Sequence, residues 1–226
     1  MKISGKIHRG ASIAAAVVML LFLIVGTGTN IISTISLSKY YETPQLLRSV
    51  LNLAANTIAS LMLIVALFRG KKDSVSGILV ILTILLVPVR GVFAGVTRMI
   101  TGFGMLGSMT KGLTVCLIAS SVIQIVANLA GVGFRALIAT ECFKPGKITG
   151  GKTKAFLVIL PIVNILLIAV SNMVQQLYLV ADYGVTQFLI VVLMPAALTV
   201  VMSLGTVLMG VAFSIPVFEN NVFNYT

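Results

Sequence analysis

The sequence has few charged residues, and most of those it has are basic. Only 9% of its 226 residues are charged, with 16 Lys and Arg against 5 Asp and Glu, whereas a soluble domain is about a quarter charged. Apolar residues make up 58% of the chain. This composition excludes a water-soluble globular domain, a disordered tail and a coiled coil. It predicts a multi-pass membrane protein.

Residues of the types that catalyse reactions or bind metal ions are also scarce. His8 is the single histidine, the two cysteines lie far apart in the sequence, and no zinc-binding motif occurs. The acidic residues all fall in predicted loops or at the ends of apolar runs: Glu42, Asp73, Glu141, Asp182 and Glu219. No buried carboxylate pair is therefore predicted for hydrolysis or proton transfer. We expect no enzyme, no cofactor and no metal site.

Long apolar runs occupy most of the chain. Six of them are each near the roughly 20 residues that a helix needs to cross a bilayer. They cover residues 11–32, 46–68, 75–96, 112–134, 155–177 and 187–213. Their apolar residues are spread almost all round the helix, as expected where lipid is the solvent. The sequence predicts an all-α integral membrane protein, one domain over residues 1–226 with about six transmembrane helices.

The first run follows a basic segment, so it could be a cleaved signal peptide or a membrane anchor. It is longer than the roughly 7 to 15 residues of a signal-peptide core. It also lacks an A-x-A cleavage site at its end. Both features favour a retained helix.

The distribution of Lys and Arg predicts the orientation. With a cytoplasmic N-terminus, the inner segments carry 11 of the 16 basic residues and the outer segments carry 5. The positive-inside rule then predicts both termini in the cytoplasm, in a bacterial-type inner or plasma membrane. Because the basic residues lie at the ends of apolar runs, they indicate contact with the lipid bilayer and exclude a nucleic-acid partner.

Polar side chains inside the runs are the candidate ligand path. They are Asn52, Asn56, Arg90, Gln124, Asn128 and Asn164. Two pairs of amides are spaced four residues apart, which places each pair on one helix face. These side chains either tie helices together by hydrogen bonds or line one cavity for a neutral or zwitterionic small molecule. Both interpretations remain open at this point.

Arg90 follows Pro88 by two residues. Proline inside a helix bends its axis, so we expect the third run to break near the outer leaflet. Arg90 then either reaches to the outer headgroups or, with Arg98, faces an anionic ligand, and Arg98 and Asp182 form a candidate ion pair. Arg135, placed at the inner end of the fourth run, is expected to reach to the inner headgroups.

Two glycine-containing patterns remain. Residues 146–153 match the phosphate-binding motif G-x-x-x-x-G-K-[ST]. No strand precedes them and an apolar run follows, so we interpret them as a flexible basic cytoplasmic loop. Contact of this loop with lipid headgroups or with the acidic face of a cytoplasmic partner is the remaining alternative. In the sixth run, Gly205 and Gly210 are expected to let a neighbouring helix approach closely.

Two functions fit these observations. The first is a transport-related protein, either a small carrier or a membrane subunit of a permease for a small molecule, which would require a membrane or cytoplasmic partner subunit. The alternative is a non-transporting membrane accessory or scaffold protein, in which the same polar residues serve only helix association.

Overall fold

In the computed structural model, residues 3–37, 43–105, 111–175 and 203–218 are described, together with residues 177, 197, 200 and 201. Within these residues the fold is helical, as predicted. The helices are α1 (Arg9–Leu37), α2 (Thr43–Arg69), α3 (Ser74–Ile84), α4 (Arg90–Gly104), α5 (Lys111–Phe143), α6 (Phe156–Gln175) and α7 (Leu204–Ser214). A π-helical turn, Leu85–Val89, joins α3 to α4, and a short 3-10 helix, Lys152–Ala155, precedes α6.

One end of the bundle collects most of the basic residues, and we call it the basic end. There α1, α3 and α6 begin, and α2, α5 and α7 end. The chain segment 3–7 lies across this end: the backbone N–H of Lys72 donates to the carbonyl of Gly5 at 2.6 Å, and that of Ser4 to the carbonyl of Val217 at 2.6 Å. We call the opposite end the far end.

The connection between α2 and α3 shows how the sequence sets the helix ends. Gly70 follows the last residue of α2 with φ of 62°, a left-handed conformation that suits glycine and ends the helix. Asp73 then caps α3, its carboxylate accepting a hydrogen bond from the backbone N–H of Ser76 at 2.8 Å. The helices α2 and α3 therefore run in opposite directions and are joined by a tight turn.

Five segments of the described residues are long and apolar enough to cross a membrane. They contain 24, 21, 31, 32 and 24 residues, and only 22–28% of each apolar stretch is buried inside the protein. Large apolar side chains such as Phe93 and Ile35 are more than two-thirds exposed at the surface. Such a surface is unfavourable in water at about 25 cal/mol per Å². The chain is thus built as a multi-pass helical membrane protein.

The helices extend beyond the apolar runs. The fourth predicted run ends at residue 134, whereas α5 continues to Phe143. Of the sixth run, α7 covers the last part, and residues 187–196 lie outside the described residues.

The third run does not break at Pro88, so that expectation was wrong. The chain remains helical through the π-helical turn Leu85–Val89, and Arg90 begins the next helix directly. Proline lacks an N–H and its ring clashes with the carbonyl four residues earlier in an α-helix. The wider π-helical turn accommodates Pro88 without ending the helix.

The best-packed part of the bundle lies toward the basic end. Phe134, Ile138, Leu157, Met209 and Phe213 are fully buried there and bring α5, α6 and α7 together. The expected close approach at the glycines of α7 is confirmed. A Cβ atom at Gly210 would overlap the carbonyl oxygen of Leu157, and one at Gly205 would overlap the side chain of Met19 in α1.

Candidate ligand groove

A groove of about 830 Å³ runs between α2, α4 and α5. Arg90, part of its wall, lies 16 residues after Ser74, so at 1.5 Å per residue it stands about 24 Å above the basic end. Measured against a hydrocarbon layer of roughly 30 Å that starts at the basic end, this height falls in the third nearest the far end. The polar residues that line the groove are Asn52, Asn56, Arg90, Thr97, Arg98, Thr101, Gln124, Asn128 and Gln175.

Arg90 connects α4 to α2. Its Nη2 donates a hydrogen bond to Oδ1 of Asn56 at 2.8 Å. A guanidinium has five N–H donors, so this bond orients the group and leaves donors for a ligand. Because the acceptor is a neutral amide, the positive charge is not compensated.

Arg98 connects α4 to α5 in the same way. Its Nη1 donates to Oε1 of Gln124 at 2.9 Å, and the arginine is exposed in the groove. Asp182, its predicted ion-pair partner, lies outside the described residues. The partner seen in the structure is therefore an amide from the predicted ligand path.

Asn128 forms the floor of the groove. It is only 8% exposed, and its Nδ2 donates to the backbone carbonyl of Gln124 at 2.8 Å. Gly91 of α4 lies directly against it, since a Cβ atom at Gly91 would be 2.5 Å from Cγ of Asn128. Sequence reasoning did not identify Gly91, because its role depends on which helix faces α5.

The described carboxylates lie away from the groove. Asp73 pairs with Arg69 at 2.5 Å and Glu141 pairs with Lys72 at 2.8 Å, both at the basic end. Among the described residues, Arg90 and Arg98 therefore have no carboxylate partner. Two positive charges in a cleft with apolar walls attract anions more strongly than the same charges in open water.

Asn164 does not line the groove. Its Nδ2 donates to the backbone carbonyl of Ala127 at 2.5 Å, which ties α6 to α5. Ser171 makes a second tie of this kind, its hydroxyl donating to the carbonyl of Ser120 at 2.7 Å. The groove thus brings together the other five residues of the predicted ligand path, while the Nδ2 of Asn164 ties α6 to α5 outside it.

A second groove, of about 500 Å³, lies between α1, α2 and α7. Its polar lining consists of hydroxyl and amide side chains, and none of the described residues that line it is charged. Asn52 and Asn56 line both grooves. These two amides therefore separate an uncharged groove from the one that contains the arginines.

The loop that matches the phosphate-binding motif is folded around the carboxylate of Glu141. The backbone N–H groups of Gly146 and Ile148 donate to this carboxylate at 2.8 Å each, and the hydroxyl of Thr149 donates at 2.5 Å. Lys72 completes the cluster, with both side chains of the ion pair fully buried. The expectation of a flexible loop was wrong: its amides bind an anion, and that anion belongs to α5.

Sequence reasoning placed Glu141 in a loop or at a span end and missed this contact. Glu141 lies inside α5, five residues before the start of the motif. A carboxylate presents the same type of oxygen acceptor to backbone N–H groups as a phosphate does. Sequence reasoning rejected these residues as a phosphate site, and only the tertiary fold shows that they bind the carboxylate of Glu141.

Arg135 does not reach toward the inner headgroups, contrary to expectation. It lies eight residues before the end of α5, and its Nη1 donates to the carbonyl of Gly131 at 3.4 Å. Helical side chains tilt toward the helix N-terminus, and that of α5 is at the far end. The side chain thus runs into the bundle. The apolar residues 136–139 that follow were the available signal that the helix continues.

Fold, apolar surface and groove together define the class: this chain is a multi-pass helical membrane protein with a polar, positively charged cleft among its helices. It matches no family model, no curated protein and no solved structure. The groove and its charges are thus the basis for assigning a function.

Proposed function

We propose that this protein is transport-related and that its groove binds a small molecule with an anionic group. The observation that supports this most is the convergence of Arg90 and Arg98 with amides from α2 and α5 in one groove. Guanidinium groups bind carboxylates and phosphates with paired hydrogen bonds. The amides supply neutral donors and acceptors for the rest of the molecule.

The placement of the charges favours ligand binding over helix association. Charged groups within a membrane are costly, and helices associate adequately through neutral hydrogen bonds of about 0.6–2 kcal/mol. This chain uses such neutral bonds at Asn164 and Ser171. Arg90, about 24 Å above the basic end in a hydrocarbon layer of roughly 30 Å, thus carries a charge that the packing of α2 against α4 does not require.

We place the basic end on the cytoplasmic side of a cell membrane, so that the groove opens toward the outside of the cell. In this arrangement the protein is either a small carrier or the membrane subunit of a permease with a partner subunit. It carries out no chemical reaction on the ligand in this proposal.

The alternative is a non-transporting accessory or scaffold protein, and one observation favours it. The bonds from Arg90 to Asn56 and from Arg98 to Gln124 clamp α2 and α5 against α4. If that clamp is their whole role, substituting either arginine destabilises the fold and no ligand restores it.

Thermal unfolding of the detergent-purified protein distinguishes the two. We expect small carboxylates, phosphate or sulfate to raise Tm, since a ligand at 100 times its Kd adds about 2.7 kcal/mol of stability. R90Q and R98Q should lose this rise and still fold. R9Q, an exposed change at the basic end, is the matched control and should keep it. If no anion raises Tm and both groove variants are unstable, the result would favour the scaffold interpretation.

Uptake into proteoliposomes then separates binding from transport. A ligand found by thermal unfolding should accumulate in vesicles that contain the wild-type protein and not in those that contain R90Q. Binding without uptake in the isolated chain would assign it to a permease that needs its partner subunit.

A further inference from the structure

The guanidinium of Arg135 lies beneath the floor of the groove. On α5, Gly131 follows the floor residue Asn128 by three positions, which places both on one helix face. A Cβ atom at Gly131 would lie 3.3 Å from Nη1 of Arg135 and 3.6 Å from Cβ of Pro88. Pro88 directly follows Val87, which lines the groove. The guanidinium of Arg135, which lies at Gly131, is thus separated from the floor of the groove by about one turn of α5.

The hydrogen bonding of Arg135 is incomplete. Its Nε is buried and has no hydrogen-bond partner among the described residues, and its Nη1 makes only a long bond to the carbonyl of Gly131. The neighbouring polar group is Nδ2 of Asn164, 3.1 Å from the Cβ position at Gly131, and it is also a donor. Hydrogen-bond donors of Asn164 and Arg135 therefore lie close together here, and the guanidinium among them is permanently charged.

The described part of the chain does not supply a counter-charge. Its carboxylates, Asp73 and Glu141, are paired with Arg69 and Lys72 at the basic end. An arginine inside a membrane bundle is stable when an anion or water compensates its charge, and it commonly marks the route of a substrate or ion. The missing charge at Arg135 is the kind that an anionic ligand brings.

We propose that Arg135, assisted by Asn164, forms a second anion-binding position, which a small anion reaches from the groove past Asn128. This rests on the proposed function and deepens it. Counted from Ser74 or Phe143 at 1.5 Å per residue, the Cα atoms of Arg98, Arg90 and Arg135 stand about 36, 24 and 12 Å above the basic end. The three arginines form a descending series of positive charges along α4 and α5. The ligand class is a halide, nitrate or the carboxylate end of a small molecule.

The absence of tryptophan from the chain allows a direct test. L160W places a single fluorophore near Arg135, because Leu160 lies one turn before Asn164 on α6 and its Cδ1 is 3.5 Å from the Cβ position at Gly133. F93W places one in the groove. Quenching by iodide, an anion, is compared with quenching by neutral acrylamide for each reporter in detergent.

We expect iodide to quench L160W and R135Q to weaken that quenching several-fold while acrylamide quenching stays the same. At constant ionic strength, replacing a bulky organic sulfonate by chloride should also protect L160W from iodide, a result that does not require R135Q to fold. Iodide quenching of F93W should depend on Arg90 and Arg98 and not on Arg135.

Several outcomes overturn the proposal. Equal iodide quenching of L160W with and without R135Q, or no protection by chloride, shows that no anion is held there. A change in L160W quenching caused by D182N identifies Asp182 as an internal counter-ion instead. The proposed function is tested separately by F93W: if its quenching is independent of Arg90 and Arg98, the groove itself fails as an anion site.

Discussion

Asp73 links stability to pH through its capping position. The backbone N–H of Ser76 and the guanidinium of Arg69 both stabilise its charged form and lower its pKa from 3.8 to about 2. A carboxylate whose folded pKa is lowered stabilises the protein above its unfolded pKa, and this stability is lost as the pH falls from about 4 to about 2.

We therefore expect Tm to fall more steeply between pH 4 and pH 2 in the wild type than in D73N. The asparagine retains an acceptor for the N–H of Ser76 but does not titrate, so the difference between the two curves isolates Asp73 from other carboxylates. Parallel curves over this range would contradict the assigned pKa.

The buried pair of Lys72 and Glu141 gives a larger effect. E141Q leaves the buried ammonium of Lys72 without its counter-charge, and such a loss costs about 3–5 kcal/mol. K72M should be similarly unfavourable. The double variant should lose clearly less stability than the sum of the two single losses, because no unpaired charge remains.

The control for this pair is R69A, which breaks the part-exposed pair of Arg69 and Asp73. An exposed ion pair contributes about 0.2–1 kcal/mol, so a small change in Tm is expected. Additive losses in the double variant would show that the Lys72–Glu141 charges do not interact as the structure indicates.

The sequence predicts a site residue correctly where its placement depends only on its own helix and not on the neighbouring helices. The spacing of Asn52 with Asn56, and of Gln124 with Asn128, fixes a helix face without knowledge of the neighbouring helices. Asn164 carries the same amide signal but faces Ala127, because the rotation of α6 against α5 is a tertiary property. The predicted position of Arg135 was wrong because the helix was assumed to end at the first charged residue after its apolar run.

At the scale of the helix, close packing depends on single glycines. G210A should separate α7 from α6, since its Cβ would overlap the carbonyl oxygen of Leu157, and such overpacking costs about 1–3 kcal/mol. G28A in α1 is the matched control, because no atom beyond its chain neighbours and its own helix backbone lies within 4 Å of its Cβ position. Thermal unfolding in detergent should show a clear fall in Tm for G210A alone. Equal effects of the two changes would contradict the close approach.

Helix type was predictable from the sequence, whereas the response of a helix to proline was not. Apolar runs of bilayer length predict helices because only these satisfy the backbone within lipid. Pro88 removes one hydrogen bond in any case, and whether the helix bends, breaks or widens depends on what packs around it. Here Pro88 is buried and lies against α5 at Gly131, and the π-helical turn keeps Arg90 directed at Asn56.

The two ends of the whole molecule differ in how they are built. The basic end is closed by the segment 3–7, by the folded loop around Glu141 and by the packed side chains of α5, α6 and α7. The two grooves lie on the other side of that packing. Under the proposed function, a ligand that enters from the far end would meet Arg98, Arg90 and Arg135 in turn before a tightly packed barrier.

The orientation that this path requires rests on charge. Exposed basic residues gather at the basic end: Lys6, Arg9, Lys71, Lys144, Lys147, Lys152 and Lys154. The positive-inside rule predicts a cytoplasmic location for such an end, since moving these charges outward opposes the membrane potential. Impermeant thiol labelling in intact cells tests this with one exposed engineered cysteine at each end, G104C at the far end and T153C in the basic loop.

Both cysteines are introduced after Cys116 and Cys142 have been replaced by alanine. We expect G104C to react in intact cells and T153C to react only after the membrane is permeabilised. The grooves lie toward the far end, and the packed barrier lies toward the basic end. This result would therefore mean that the arginine series is accessible from outside the cell and blocked from the cytoplasm. Labelling of T153C without G104C would reverse the orientation, and the anion would then have to enter the series from within the cell.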